Sequence, residues 1–146
     1  MLIGQYVNRL NEKGRTALPA KFREIVGDSA IIAKWYEGCL VVVDTNSWEV
    51  LLTKLTGKSE IITSPVRDTD RFILGSAFEI NLDSQGRFVI PKILREYAGL
   101  KDEITFVGLG TRVEVWDKKA WEEREKFVQE HASEFVEKLA EKRGDL

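Results

Sequence analysis

Two short stretches hold the residues with the most chemical promise: "NEKGR" at Asn11–Arg15 and "DSQGR" at Asp83–Arg87. Each sets an arginine directly after a glycine that closes a polar turn. A guanidinium is a fixed-charge fork that can grip a phosphate or pair with the O6 and N7 edge of guanine. More cations gather nearby: Arg9 and Lys13 around the first stretch, Lys21 and Arg23 just beyond it, Lys92 and Arg95 just beyond the second. The chemistry they suggest is recognition of a polyanion, with double-stranded DNA the expected partner. Arg23–Glu24 and Arg95–Glu96 also read as ordinary surface charge on helices, and for Lys21 and Lys92 that reading has equal weight. For Arg15 and Arg87, recurrence inside one chain favours function.

Catalytic chemistry finds little to work with. His131 is the single histidine and stands far along the chain from the single cysteine, Cys39. No Cys/His grouping has metal-ligand spacing, and no glycine-rich loop ends in Lys-Ser or Lys-Thr for a phosphate. The "GLG" at Gly108–Gly110 lies between two strand-like runs and reads as a hairpin turn. Cys39 precedes Leu40 and Val41, which suits a buried structural thiol better than a nucleophile. Asp83 has Asn11 as its counterpart, so a carboxylate pair is broken and a turn-capping role is simpler. The expectation is a protein that is not an enzyme, with no metal, no cofactor and no small-molecule substrate.

The two stretches belong to longer matching segments, "LNEKGRTALPAKFREIVG" and "LDSQGRFVIPKILREYAG". Leu10/Leu82, Gly14/Gly86, Arg15/Arg87, Pro19/Pro91, Arg23/Arg95, Glu24/Glu96 and Gly27/Gly99 share one constant offset. After a single-residue slip the match resumes with Ile31/Ile104, Val42/Val115, Asp44/Asp117, Trp48/Trp121 and Glu49/Glu122. Repeats of this kind place two homologous units in one chain.

Each unit reads as hairpin, short helix, hairpin. Asn11 and Asp83 open turns that Gly14 and Gly86 leave, a type I pattern. Short strands "RTAL" and "RFVI" follow, then Pro19 and Pro91 at a helix start. Phe22, Ile25 and Val26, and likewise Leu94, Tyr97 and Ala98, fall on one helical face, and Gly27 and Gly99 end the helices. Two β-rich runs around a glycine turn come next. Asp44 and Asp117 then cap further helices, with Val43/Trp48 and Trp116/Trp121 in hydrophobic-staple positions. One unit alone is too small to enclose a core, so the pair is expected to supply both halves of a pseudo-symmetric β-barrel. The divisions are residues 5–47 for the first repeat, 48–75 for a linker with helix, 76–120 for the second repeat and 121–146 for a C-terminal amphipathic helix. That last helix carries a stripe of Trp121, Val128, Ala132, Phe135 and Leu139, which suits packing on its own domain or contact with another subunit equally.

The 146 residues carry a formal net charge of −2, which argues against a uniformly basic nucleic-acid binder. The charge is uneven, however. Arg9, Lys13, Arg15, Lys21 and Arg23 outweigh Glu12 and Glu24 at the front, while acids prevail from Asp117 onward. No export signal or membrane-length apolar run is visible, and one cysteine permits no intrachain disulfide, so a reducing cytoplasm is the expected setting.

Turn, Gly-Arg, apolar strand, Pro and then Arg-Glu resembles the SpoVT-AbrB type of DNA-binding domain. Two copies, with "FVGLGTRVEVWDKKAWEE" near the end, closely resemble the MraZ family of bacterial transcriptional regulators, linked to the division and cell-wall gene cluster. The resemblance implies an α+β chain, mainly β with short helices: a double swapped-hairpin, AbrB-like barrel plus the C-terminal helix. It also implies ring-like homo-oligomers at the nucleoid that bind short direct repeats in promoter DNA. The D-x-x-x-R element of the family matches Asp83 and Arg87. In the first unit Asn11 replaces that Asp: turn geometry is expected to survive, and the electrostatic pairing with Arg15 is put in question. Antitoxin-type modules that bind a protein partner share this domain but usually carry one half and a disordered tail. An RNA-binding reading finds no array of exposed aromatics for base stacking, since Trp35, Trp48, Trp116 and Trp121 fall in strands and staples.

Overall fold

The computed structural model describes residues 1–57 and 63–144; residues 58–62 of the expected linker and 145–146 of the expected C-terminal helix lie outside the described residues. In chain order the elements are β1 (Leu2–Arg9), β2 (Arg15–Ala17), α1 (Ala20–Val26), β3 (Ser29–Lys34), β4 (Leu40–Asp44), α2 (Trp48–Thr56), α3 (Ser64–Ile73), β5 (Phe78–Asn81), β6 (Arg87–Val89), α4 (Lys92–Tyr97), β7 (Glu103–Gly110), β8 (Val113–Asp117) and α5 (Lys118–Arg143). Helix exceeds strand, 48% against 30%. The 26 residues of α5 account for much of this, while antiparallel sheet organises the core.

Six strands form one sheet in the order β1-β7-β8-β4-β3-β5, and β2 pairs with β6 in a separate ribbon. Exchanging the two units leaves this order unchanged, so the arrangement is pseudo-twofold. The units also exchange strands. β1 of the first pairs with β7 of the second, from Leu2–Gly110 to Arg9–Glu103, and β5 of the second pairs with β3 of the first. β4 and β8 join the halves at Leu40–Val115. The ladders leave an open sheet plus a ribbon, and no ladder closes a full barrel among the described residues.

The second hairpin of each unit, β3–β4 and β7–β8, forms locally as the glycine turns predict. The first does not continue as a local ladder. Asn11 N–H donates to the Arg15 carbonyl at 3.0 Å and the turn closes, but β2 then finds β6 rather than β1. The reason is geometric: a strand as short as β2 offers few bonds to its neighbour, and its inward residue Thr16 is buried opposite Phe88 of the other unit. Pro19 and Pro91 occupy the N-cap rather than the first helical position, each carbonyl accepting from amides in the first turn. The Asp44 and Asp117 caps form, with side chains accepting from Ser47 and Ala120 N–H. Trp116 and Trp121 meet with ring centres 5.4 Å apart.

The sheet separates two apolar clusters. On one side Ile32, Leu40, Val42, Ile104, Phe106 and Val115 pack beneath the ribbon and the short helices, against Phe22, Leu94, Phe88 and Ile90. On the other, Val41, Val43, Val107 and Trp116 pack with Trp48, Leu51 and Ile73. β4 therefore buries both faces, which is why "LVVV" runs apolar without alternation. Ile25 departs from the expected helical stripe and is 48% exposed, while Phe22 and Val26 are buried. Gly108 lets β1 approach: a Cβ there would stand 2.7 Å from the Ile3 nitrogen. α5 is fastened at its start, where Trp121 Nε1 donates to Gln5 Oε1 at 3.0 Å and Gln5 in turn donates to Glu125. Beyond that, Phe127, Val128, Val136 and Leu139 stay exposed. None of the helices in the described residues is long and apolar enough to cross a membrane.

Candidate nucleic-acid interface

The ribbon is built from "RTA" and "RFV", paired Arg15–Val89, Thr16–Phe88 and Ala17–Arg87. Strand alternation sends the middle pair inward, where both residues are buried, and leaves Arg15, Val89, Ala17 and Arg87 on the outer face. Two arginines from distant sequence positions thus share one small surface. Arg9, at the end of β1, joins them around a shallow concavity of about 460 Å³ that Glu12 and Asp102 also line.

Each arginine is aimed by its turn. In the second unit Asp83 Oδ1 accepts from the amides of Gln85 and Arg87, both at 2.9 Å, and Oδ2 accepts from Arg87 Nε at 2.7 Å. These bonds, with the Arg87 amide foremost, hold the Asp83 carboxyl well below the usual carboxylate range, at about 2. In the first unit Asn11 Oδ1 accepts from Lys13 N–H at 3.0 Å and Arg15 N–H at 2.8 Å, so the turn is intact. Among the described residues no carboxylate pairs with the Arg15 guanidinium. Asparagine reproduces the backbone function of aspartate and drops the ion pair.

Arg23 and Arg95 are half-buried and do something sequence reading missed. Each lies over the turn glycine of the opposite unit. A Cβ on Gly86 would sit 2.1 Å from Arg23 Cδ, and one on Gly14 would sit 2.8 Å from Arg95 Cζ. Arg95 also donates to the Glu12 carbonyl at 3.4 Å. The two residues brace the turns from behind. The matching Gly/Arg pattern at both turns was the available signal, but only an assumed strand exchange would have linked each glycine to the far arginine.

Lys13, Lys21 and Lys92 are exposed, and Lys92 stands 3.8 Å from Glu96. Lys92 and Arg95 line a neighbouring concavity with Glu12 and Glu96, and Arg23 lines a third with Glu24 and Asp83. Of the basic residues, Arg9, Arg15 and Arg87 line one concavity together and Lys92 and Arg95 line another. Asn8, absent from the expected set, ties β1 to the ribbon through Nδ2 and the Ala17 carbonyl at 2.9 Å.

The remaining reactive groups are quiet. Cys39 is buried, its thiol donates to the Tyr36 carbonyl at 3.3 Å, and desolvation drives its pKa far upward, so a thiolate is suppressed. Gly110 sits at the β7–β8 turn with φ 85°, which explains "GLG". No group of three or more His, Cys, Asp or Glu among the described residues could hold a metal ion.

Comparison with known proteins fits this picture. The sequence model of a family described as "MraZ protein, putative antitoxin-like" matches twice, at residues 1–72 and 73–144. A protein named "Transcriptional regulator MraZ" from Caldicellulosiruptor saccharolyticus is 39% identical over 146 residues, covering 100% of this chain and 99% of its own. One of the same name from Caldanaerobacter subterraneus subsp. tengcongensis is 38% identical over 139 residues, 95% of this chain and 96% of its own. Among solved structures, the solution structure of PHS018 from Pyrococcus horikoshii is similar at 19% identity and a TM-score of 0.33, over 79% of this chain and 88% of that one. That last likeness is too slight to carry an argument. The two family matches span almost the whole chain, one per unit, and the chain belongs to the MraZ family.

Proposed function

We propose that this chain is a sequence-specific DNA-binding transcriptional regulator that presents the outer face of the β2–β6 ribbon to double-stranded DNA. The observation that carries the reading is the convergence of Arg15 and Arg87 on that face, each set by its own capped turn. Relatives named as transcriptional regulators over nearly the full chain support it. In this reading Arg9, Lys13, Lys21 and Lys92 add phosphate attraction at the rim, and Arg23 and Arg95 act by holding the turns.

The finer reading is autoregulation at the nucleoid: short direct repeats in the promoter of the division and cell-wall cluster, engaged by a ring-like homo-oligomer. Its units are the repeats at 5–47 and 76–120, joined by a helical linker, 48–75, and followed by the C-terminal helix, 121–146. Multiplicity reconciles DNA binding with a net charge of −2. Each ribbon need attract only weakly if several are tethered together, because the later contacts form at high effective concentration.

The test is a gel-shift titration at two salt concentrations, with the promoter upstream of the protein's own gene against a scrambled duplex. Tight, salt-sensitive and selective shifts are expected, and Arg15→Ala should weaken them roughly tenfold or more without altering oligomer size. Full-strength binding by Arg15→Ala removes that residue from the interface. The antitoxin-like description of the family favours a second reading, a protein-interaction module. Equal, weak binding to both duplexes would select it.

A further inference from the structure

We propose that the two ribbon arginines have unequal tasks: Arg87, braced by Asp83, reads base edges and sets selectivity, whereas Arg15, held by no carboxylate among the described residues, supplies sequence-independent phosphate attraction. This deepens the DNA-binding reading and rests on it. Asp83 is then a positioning residue for specificity.

The side chains of Arg87 and Asp83 are 51% and 41% exposed, so their ion pair is worth little as a stabilising contact. Its consequence lies in orientation and charge. Two backbone amides already fix the Asp83 carboxylate, so gripping Arg87 requires no further ordering of the acid. The contact uses Nε, at 2.7 Å, which leaves the terminal nitrogens for a two-pronged contact. A fork held in advance loses less freedom on meeting a base edge, and base-edge contacts discriminate between sequences where phosphate contacts do not. The pair is also close to neutral, so Arg87 draws little on the general attraction of DNA.

Arg15 is the reverse case. Asn11 supplies the same two turn bonds and no charge, so the turn neither neutralises nor grips the Arg15 guanidinium. Such a group follows the phosphate backbone, and its counterion release is the same on any sequence. A near-symmetric ribbon is made functionally asymmetric by one oxygen-for-nitrogen difference between Asp83 and Asn11.

That difference also provides a clean test, because Asn11 shows that asparagine can carry this turn. The full-length Asp83→Asn, Arg87→Lys and Asn11→Asp proteins are titrated on the promoter duplex and on the scrambled duplex across a salt series, with thermal melts as a folding control. Asp83→Asn is expected to lower the promoter-to-scrambled affinity ratio roughly tenfold while binding to the scrambled duplex holds or rises. Arg87→Lys, which keeps the charge and loses the fork, is expected to lower the ratio similarly with an unchanged salt slope. Asn11→Asp is expected to leave the ratio within about twofold and to reduce the slope by about one for each engaged ribbon. If the wild type discriminates and both second-unit variants discriminate equally well, the division of labour is wrong and the regulator reading stands. If the wild type itself does not discriminate, both fall.

Discussion

Gly14 and Gly86 face two constraints at once, a left-handed backbone and an arginine pressed against it. Their φ angles are 82° and 76°, a region that costs other residues about 1–2 kcal/mol. The obstacles differ. At Gly86 the three atoms nearest a new methyl all belong to the flexible Arg23 side chain, whereas at Gly14 the rigid Ile90 carbonyl is among them at 2.8 Å. Gly86→Ala is therefore expected to cost about 1–2 kcal/mol and Gly14→Ala distinctly more, read by urea unfolding; equal losses would show that the Ile90 carbonyl gives way. Asp83 has its own signature. Its folded pKa is depressed to about 2, so its contribution is full above the ordinary carboxylate range and is lost as pH falls through about 2. Melting temperature against pH should thus fall more steeply in wild type than in Asp83→Asn across that acid window. Parallel curves would mean the carboxylate is not held as the turn bonds suggest.

The two local hairpins solve one problem with different residues. β7–β8 turns at Gly110, with φ 85°, while the matching position in β3–β4 is Glu37, at φ 59° and the one positive-φ residue among the described residues that is not glycine. Glu37 lies 4.0 Å from Arg124, an ion pair with both partners well exposed and of small worth. Relief of left-handed strain should exceed that loss and the added entropy of an unfolded glycine. Glu37→Gly is expected to stabilise the chain by about 0.5–1 kcal/mol in denaturant melts; a destabilised variant would show that the Arg124 contact outweighs the strain. Helix α5 illustrates what a pattern leaves open. Its apolar stripe is real, yet Val136 and Leu139 are 65% and 55% exposed, because periodicity describes a face and says nothing about what covers it.

At the scale of the whole molecule, neither unit is self-sufficient. β1 finds its partner in β7, β5 in β3, β2 in β6 and β4 in β8 as well as β3, so separating the units breaks four ladders. The fragment 1–72 is expected to remain unfolded as a monomer at low concentration, and mixing it with fragment 73–146 should restore the sheet signal in circular dichroism. A folded, monomeric 1–72 would refute the exchange. Phe22 lies in the core that both units share: it is 1% exposed, clusters with Phe88, Ile90 and Leu94 of the second unit, and meets Tyr6 of β1 edge-on at 5.2 Å. Phe22→Ala is expected to cost about 3–5 kcal/mol by chemical unfolding, and a loss below about 1 kcal/mol would place the residue outside the core.

Residues near one another in the chain made much of this legible from sequence. The Asn11 and Asp83 turns, the Asp44 and Asp117 caps, the Trp116–Trp121 staple, both local hairpins and the duplication itself follow from short-range rules of backbone geometry and hydrogen bonding. The arginines beside the turn glycines were visible for the same reason. Strand partnership was not, because β2 reads alike whether it pairs with β1 or β6, and only burial of Thr16 against Phe88 across the two units selects the latter. That one long-range pairing decides the rest: it sets Arg15 beside Arg87 and lays Arg23 and Arg95 behind the opposite turns. Sequence by itself determined the two turns and how each arginine is set beside its glycine; tertiary structure decided which of those arginines stand together, because shared surface is a property of packing between units and not of spacing within one.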